Sequence, residues 1–281
     1  MKDITLKSLL VLALASRIHA GGVTEISLSK EIQYQQSSAT LATRLAAKDY
    51  PYSFAAEVDG DSREYTVALS PKPKITLPSS SKFKEIYRLK PALGLGSDDD
   101  DGWNFGYTDA KSFQNWGTRT KAEFDAAFPN GNYVFSVQGK LIVLSLSEGS
   151  YPPAPVAVLD GGRWQDGVYY ISAKKALKIS SGVYPNYGTN VNDYISLDLE
   201  DDTADKELFD DNQVAKKLIG GPKVSSSKSL SRTIPANTLK SGHTYYLGSS
   251  FGAIVSQSNV LPKCMSIAYF GTETTVKIIA E

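Results

Sequence analysis

Short runs of alternating apolar and polar residues recur along the chain, the period of a half-buried β-strand. Tyr52-Ser-Phe-Ala-Ala-Glu-Val58, Glu64-Tyr-Thr-Val-Ala-Leu69 and Asn132-Tyr-Val-Phe-Ser-Val137 are clear cases. Gln138-Gly139 predicts a hairpin turn into Lys140-Leu-Ile-Val-Leu-Ser-Leu146. Further strands are predicted at Gly167–Ile171, Ala176–Ile179, Tyr194–Leu199, Thr244–Leu247, Ala253–Val255 and Thr274–Ile279. Helical patterns are few. Thr40–Lys48 predicts two turns, and Asp205–Ile219 predicts a helix ended by Gly220-Gly221-Pro222. Thr120–Phe128 predicts another, capped by Thr120 with Glu123 three residues later and stopped by Pro129. The Ser-, Gln- and Ala-rich stretch before Tyr52 shows no clear period.

Many short strands with frequent turn residues predict an all-β chain of sandwich or barrel type. Gly149-Ser-Tyr-Pro-Pro-Ala-Pro155 is the best boundary, because prolines resist both helix and central strand. The expected organisation is a signal peptide over 1–20 and two tandem antiparallel β-sandwich domains over 21–149 and 150–281, with a few short helices. The halves echo each other. Phe128-Pro-Asn-Gly131-Asn-Tyr133 and Leu239-Lys-Ser-Gly242-His-Thr-Tyr245 both run from an apolar residue through a Gly turn to a Tyr and a strand. This fits a corner in which the Tyr hydroxyl bonds upstream backbone. It fits equally any Gly turn before a half-buried strand.

Lys2 and Lys7, the apolar run Leu9–Ala15 and the small residue Ala20 follow the order of a secretory signal. The run is too short to span a bilayer, which needs about 20 apolar residues. No later segment reads as a transmembrane helix. The expectation is export, ending in the periplasm or outside the cell. Thirty Lys and Arg balance thirty Asp and Glu. Loss of Lys2, Lys7, Arg17 and Asp3 with the signal leaves 27 cations against 29 anions. Such a balance argues against nucleic acid as a partner. The one Cys, Cys264, excludes an internal disulfide and sits among apolar neighbours, as a buried hydrophobe would.

The second half resembles a fibronectin type III or immunoglobulin-like module. The carrying residues are the Pro-rich stretch Pro152-Pro153-Ala-Pro155, Trp164, and Leu239 six residues before Tyr245. That resemblance implies that Leu239 and Tyr245 close its core. The half is longer than such a module, and Asp198–Pro222 reads as an acidic insertion. The chain as a whole, through Ala127–Tyr133 and Leu144–Pro152, resembles secreted β-sandwich proteins of environmental bacteria. That resemblance implies an exported sandwich and brings no activity or catalytic residue with it.

Gly248-Ser-Ser-Phe-Gly252 matches a nucleophile-elbow pattern around Ser250. The residues after it are strand-like and His243 precedes it, so a Gly/Ser-rich turn is the plainer expectation. No catalytic residue is assigned. One His and one Cys after the signal disfavour a zinc site. No cofactor is expected, apart from a surface Ca²⁺ that the loop Ser97-Asp-Asp-Asp-Asp-Gly102 could hold if it is not simply solvated. Trp103, Tyr107 and Trp116 lie in Gly-, Asn- and Asp-rich surroundings, as do Tyr184 and Tyr187 in Val183–Asn190. Aromatics in polar loops either tuck into the domain's core or stack on a ligand. These five are the candidate ligand-binding residues. The leading expectation is a secreted, non-enzymatic module that binds extracellular polysaccharide or a surface protein. An extracellular carbohydrate-active hydrolase with paired carboxylates, and a purely structural surface protein, are the alternatives.

Overall fold

A computed structural model describes residues 23–47, 51–60, 74–76, 78–80, 88–89, 103–105, 117–118, 120–147, 150–189 and 192–281. The segment read as a signal peptide, the predicted strand Glu64–Leu69 and the loop Ser97–Gly102 lie outside them. The described chain is mostly β-strand with very little helix, in three sheets.

In the first half the strands are β1 (Val23–Gln36), β2 (Ala42–Arg44), β3 (Tyr52–Gly60), β4 (Lys74–Thr76), β5 (Arg88–Leu89), β6 (Trp103–Phe105), β7 (Gly117–Thr118), β8 (Gly131–Val137) and β9 (Lys140–Leu146). Helix α1 (Lys121–Ala127) lies between β7 and β8. The second half supplies β10 (Val158–Asp160), β11 (Arg163–Gln165), β12 (Val168–Ile171), β13 (Leu177–Ser180), β14 (Asn192–Asp201), β15 (Lys206–Val214), β16 (Lys223–Val224), β17 (Ser231–Ile234), β18 (Thr244–Gln257) and β19 (Met265–Ala280).

One large sheet runs in the order β16-β15-β14-β18-β19-β1-β3-β6-β5. It is mixed, not antiparallel throughout. The first strand and the last pair in parallel from Glu25↔Met265 to Gln35↔Thr275. Strands from both halves therefore share a single hydrogen-bonded sheet. Two three-stranded sheets, β4-β8-β9 and β10-β13-β17, complete the fold.

Alternation along β19 explains how the layers are organised, since residues two apart share a face. Ala268 and Phe270 join a core with Ile26 and Leu28 of β1, Phe54 of β3, Phe124 and Phe128 of the α1 segment, and Tyr133 and Leu144 of the β4-β8-β9 sheet. Val276 and Ile278 join a second core with Leu197 of β14, Leu247 of β18, Ile179 of β13 and Ile234 of β17. Between the two cores, on the same face, lie Thr272 and Thr274. Their hydroxyls donate to the carbonyls of Pro153 at 3.0 Å and Pro155 at 2.8 Å. Gln36 takes both backbone groups of Ala157 at 2.8 Å. The proline segment is thus laid across the sheet and fastened there. Each such bond contributes about 1 kcal/mol.

The predicted hairpin is present, with Gln138 and Gly139 both at positive φ between β8 and β9. The helix carries the expected capping box between Thr120 and Glu123. Two other expected helices are strands. Within Thr40–Lys48, Ala42–Arg44 pairs with the end of β1. Within Asp205–Ile219, Lys206–Val214 forms a long hairpin with β14. Asp210, Asp211 and Asn212 are weak helix formers, and the ladder offered by β14 satisfies the backbone instead. The stretch read as an acidic insertion is this hairpin. The two strands predicted around Gly248–Gly252 are one continuous strand, β18.

Both Gly-turn tyrosines bond upstream backbone. The Tyr133 hydroxyl donates to the Pro129 carbonyl at 2.8 Å. The Tyr245 hydroxyl accepts the Lys240 N–H at 2.8 Å. Leu239 and Tyr245 are both in the second core.

Candidate functional site

The five aromatic candidates do not form one surface among the described residues. Trp103 opens β6, opposite Val58 of β3. Tyr107 and Trp116 lie outside the described residues. Tyr184 and Tyr187 are 2% and 5% exposed. They cover Ile195 and Phe251, which are cross-strand neighbours on β14 and β18. The Tyr184 ring stacks on Phe251 at 4.8 Å, and its hydroxyl donates to Asp193 at 3.2 Å. The Gly188 N–H fixes the other Asp193 oxygen at 2.6 Å. Of the two fates open to loop aromatics, this pair has the internal one. An apolar patch on the sheet needed cover, and the loop supplies it.

The nucleophile-elbow pattern has no elbow. Gly248, Ser250 and Gly252 occupy i, i+2 and i+4 of β18, on one face of the sheet. Ser250 is 2% exposed, and its hydroxyl has no hydrogen-bond partner among the described residues. The glycines make room. A Cβ on Gly252 would enter the Tyr194 ring, and one on Gly248 would enter the Asp198 carboxyl. The motif is a floor of small residues beneath larger cross-strand neighbours. His243, which follows a Gly242 turn, binds the Asp201 carboxylate through Nδ1 at 2.9 Å. Burial raises the Asp201 pKa, but the His243 and Ala204 hydrogen bonds outweigh it and hold it below the usual value. Cys264 is buried. Among the described residues no group of three or more His, Cys, Asp or Glu is placed to hold a metal ion. No described helix is long and apolar enough to cross a membrane.

Among the described residues, Asp198 and a pocket beside α1 each bring charged groups together. Asp198 faces Asp210 directly across the β14–β15 hairpin, with Glu200 facing Glu207 one pair away on the same side. Burial, then the charges of Asp210, Glu207 and Glu200, push its carboxyl up to about 7, against a weaker pull from the Gly248 backbone. Periodicity does reveal this group, because Asp198 and Glu200 are two apart. The loop and helix expected there hid it.

The second is a pocket of about 400 Å³ beside α1, lined by Lys30, Lys121, Asp125, Pro129, Asn130, Tyr151 and Phe270. Lys30 comes from the face of β1 that otherwise enters the first core, between Leu28 and Ile32. It is 1% exposed. Its ammonium donates to Asp125 at 2.7 Å and to the Phe128 carbonyl at 2.9 Å, and lies 4.6 Å from the Phe124 ring centre. Burial lowers its pKa, and the bond to Asp125 opposes that. Lys121, one helical turn before Asp125, holds the other carboxylate oxygen. The two lysines outweigh burial and keep the Asp125 pKa low. Tyr151 starts the fastened proline segment. Its ring meets Phe270 edge-on at 5.2 Å, and its buried hydroxyl has no hydrogen-bond partner among the described residues. Sequence reading passed over this site because Lys30 sits in the stretch without a clear period and Tyr151 beside prolines.

No family model matches the chain, and no curated protein matches it significantly, so what the site does must be argued from its own residues.

Proposed function

We propose that the chain is an exported, non-enzymatic binding module for extracellular polysaccharide, built as two immunoglobulin- or fibronectin-III-like sandwiches that share a sheet. The observation that carries this reading is the pocket at Lys30, Lys121 and Tyr151. It joins the partly exposed Tyr151 ring and Pro129, suited to the C–H faces of a sugar, to ammonium and hydroxyl donors. Its volume lies in the lower range of small-ligand sites. The order of basic, apolar and small residues at the start of the chain supports export, and the two tyrosine corners support sandwich topology. Affinity electrophoresis against a panel of neutral and acidic polysaccharides tests the reading. Retarded migration on at least one matrix is the expected result. Unchanged migration on all of them overturns it in favour of a purely structural surface protein.

One observation favours a second reading, an extracellular carbohydrate-active hydrolase. A carboxyl pushed up to about 7 opposite a second carboxyl is the arrangement by which such enzymes divide acid and base roles. Asp198 would be the acid and Asp210 the carboxylate. Release of reducing sugar that Asp198→Asn abolishes would establish that reading. No release from any polysaccharide the protein binds would remove it.

A further inference from the structure

The pocket beside α1 has two ammonium groups and, among its described lining residues, one carboxylate. Asp125 gives an oxygen to each lysine. The Lys30 protons are engaged by Asp125, the Phe128 carbonyl and the Phe124 ring. Lys121 is 57% exposed and keeps N–H donors turned to solvent. Tyr151 adds a buried hydroxyl without a partner among the described residues. Its position is not loose. The ring is held against Phe270, and the residues after it are tied to Thr272 and Thr274. A buried hydroxyl left unpaired is costly, and such groups in native structures mark a missing partner. The partner that fits these donors is an acceptor with negative charge.

We infer that this pocket takes the carboxylate of a uronic-acid residue in an acidic polysaccharide, a specification that rests on the polysaccharide reading above. One carboxylate oxygen accepts the Tyr151 O–H and the other accepts from the Lys121 ammonium. The sugar ring lies against Pro129, and Asn130 sits at the rim. Lys30 does not touch the ligand. It holds Asp125 and the end of α1 in place, and so positions Lys121.

The experiment is affinity electrophoresis in gels containing polygalacturonate, a neutral glucan or polyglutamate. The proteins are the full chain, Tyr151→Phe and Lys121→Gln. Tyr151→Phe keeps the ring against Phe270, so thermal unfolding unchanged from the parent shows the fold intact. The expected result is retardation by polygalacturonate, weakened by added salt and reduced about tenfold in apparent affinity by either substitution. Polygalacturonate binding that both variants retain in full overturns the inference. Retardation by the neutral glucan alone also overturns it, while the polysaccharide reading stands. Equal retardation by polyglutamate overturns it as well, because attraction of any polyanion would then suffice. No retardation on any polysaccharide matrix ends both readings.

Discussion

Lys30, buried on β1, and Asp198, half-buried on β14, are charged residues of one sheet, and they meet opposite surroundings. On β1, Lys30 replaces an apolar residue in the core-facing register, but a carboxylate, a carbonyl and an aromatic face converge on it. Burial lowers its pKa, and the pull of Asp125 opposes that. On β14, Asp198 faces another aspartate, and burial, then the charges of Asp210, Glu207 and Glu200, push its carboxyl up to about 7. The two sites show that burial alone does not fix a charge's behaviour. Complementary partners oppose the effect of burial on a charged group, and like-charged partners add to it.

The tyrosine corners make a second, finer contrast. Tyr133 donates its proton to a proline carbonyl, since Pro129 has no N–H to offer. Tyr245 accepts from the Lys240 N–H. The same ring position serves both hydrogen-bond polarities, because a hydroxyl can rotate to suit its partner.

Substitutions at four positions sharpen or break these contrasts. Lys30→Ala removes the buried ammonium and leaves a cavity, and chemical denaturation is expected to show a loss of about 3–4 kcal/mol. Full recovery of that loss in Lys30→Met would show that volume and not charge matters there. Asp198 has the opposite sign. An unfolded aspartate releases its proton near 3.8, whereas folded Asp198 keeps it to about 7. Between those values the unfolded chain binds fewer protons, so stability falls as pH rises through the window. The expected fall, at 1.36 kcal/mol per unit and discounted for screening, is roughly 2–3 kcal/mol. It should be absent from the pH profile of Asp198→Asn, and a persistent fall in that variant would assign the titration elsewhere. Tyr245→Phe is expected to lose about 1 kcal/mol, because the Lys240 N–H is left unpaired. Tyr133→Phe is expected to lose somewhat less, since it strands only a carbonyl with a second lone pair. Equal effects would mean that hydrogen-bond polarity is irrelevant to the corner.

Where local chemistry and the sheet agreed, the chain's pattern was readable. Lys140–Leu146 is a strand, Gln138-Gly139 is its turn, and Thr120 caps the helix. Where long-range pairing overruled local preference, reading failed. Val23–Gln36 lacks a clean period because Lys30 interrupts Ile26, Leu28 and Ile32, and yet it is a central strand. Lys206–Val214 reads as helical until β14 is beside it. Of the candidate aromatics, Tyr184 and Tyr187 read as polar-loop rings in need of a partner. That Ile195 and Phe251 supply it could be known only once those strands were paired.

By itself, then, the sequence determined the β class, the helix cap and the hairpin turn. Each depends on residues within a few positions of one another. Tertiary structure decided the joining of the first strand to the last, the seat of the proline segment, and the convergence of Lys30, Lys121, Asp125 and Tyr151. Those contacts link residues up to 240 positions apart, as in Glu25↔Met265. Closing such long loops is favourable only when the whole sheet forms together, so no local pattern announces it.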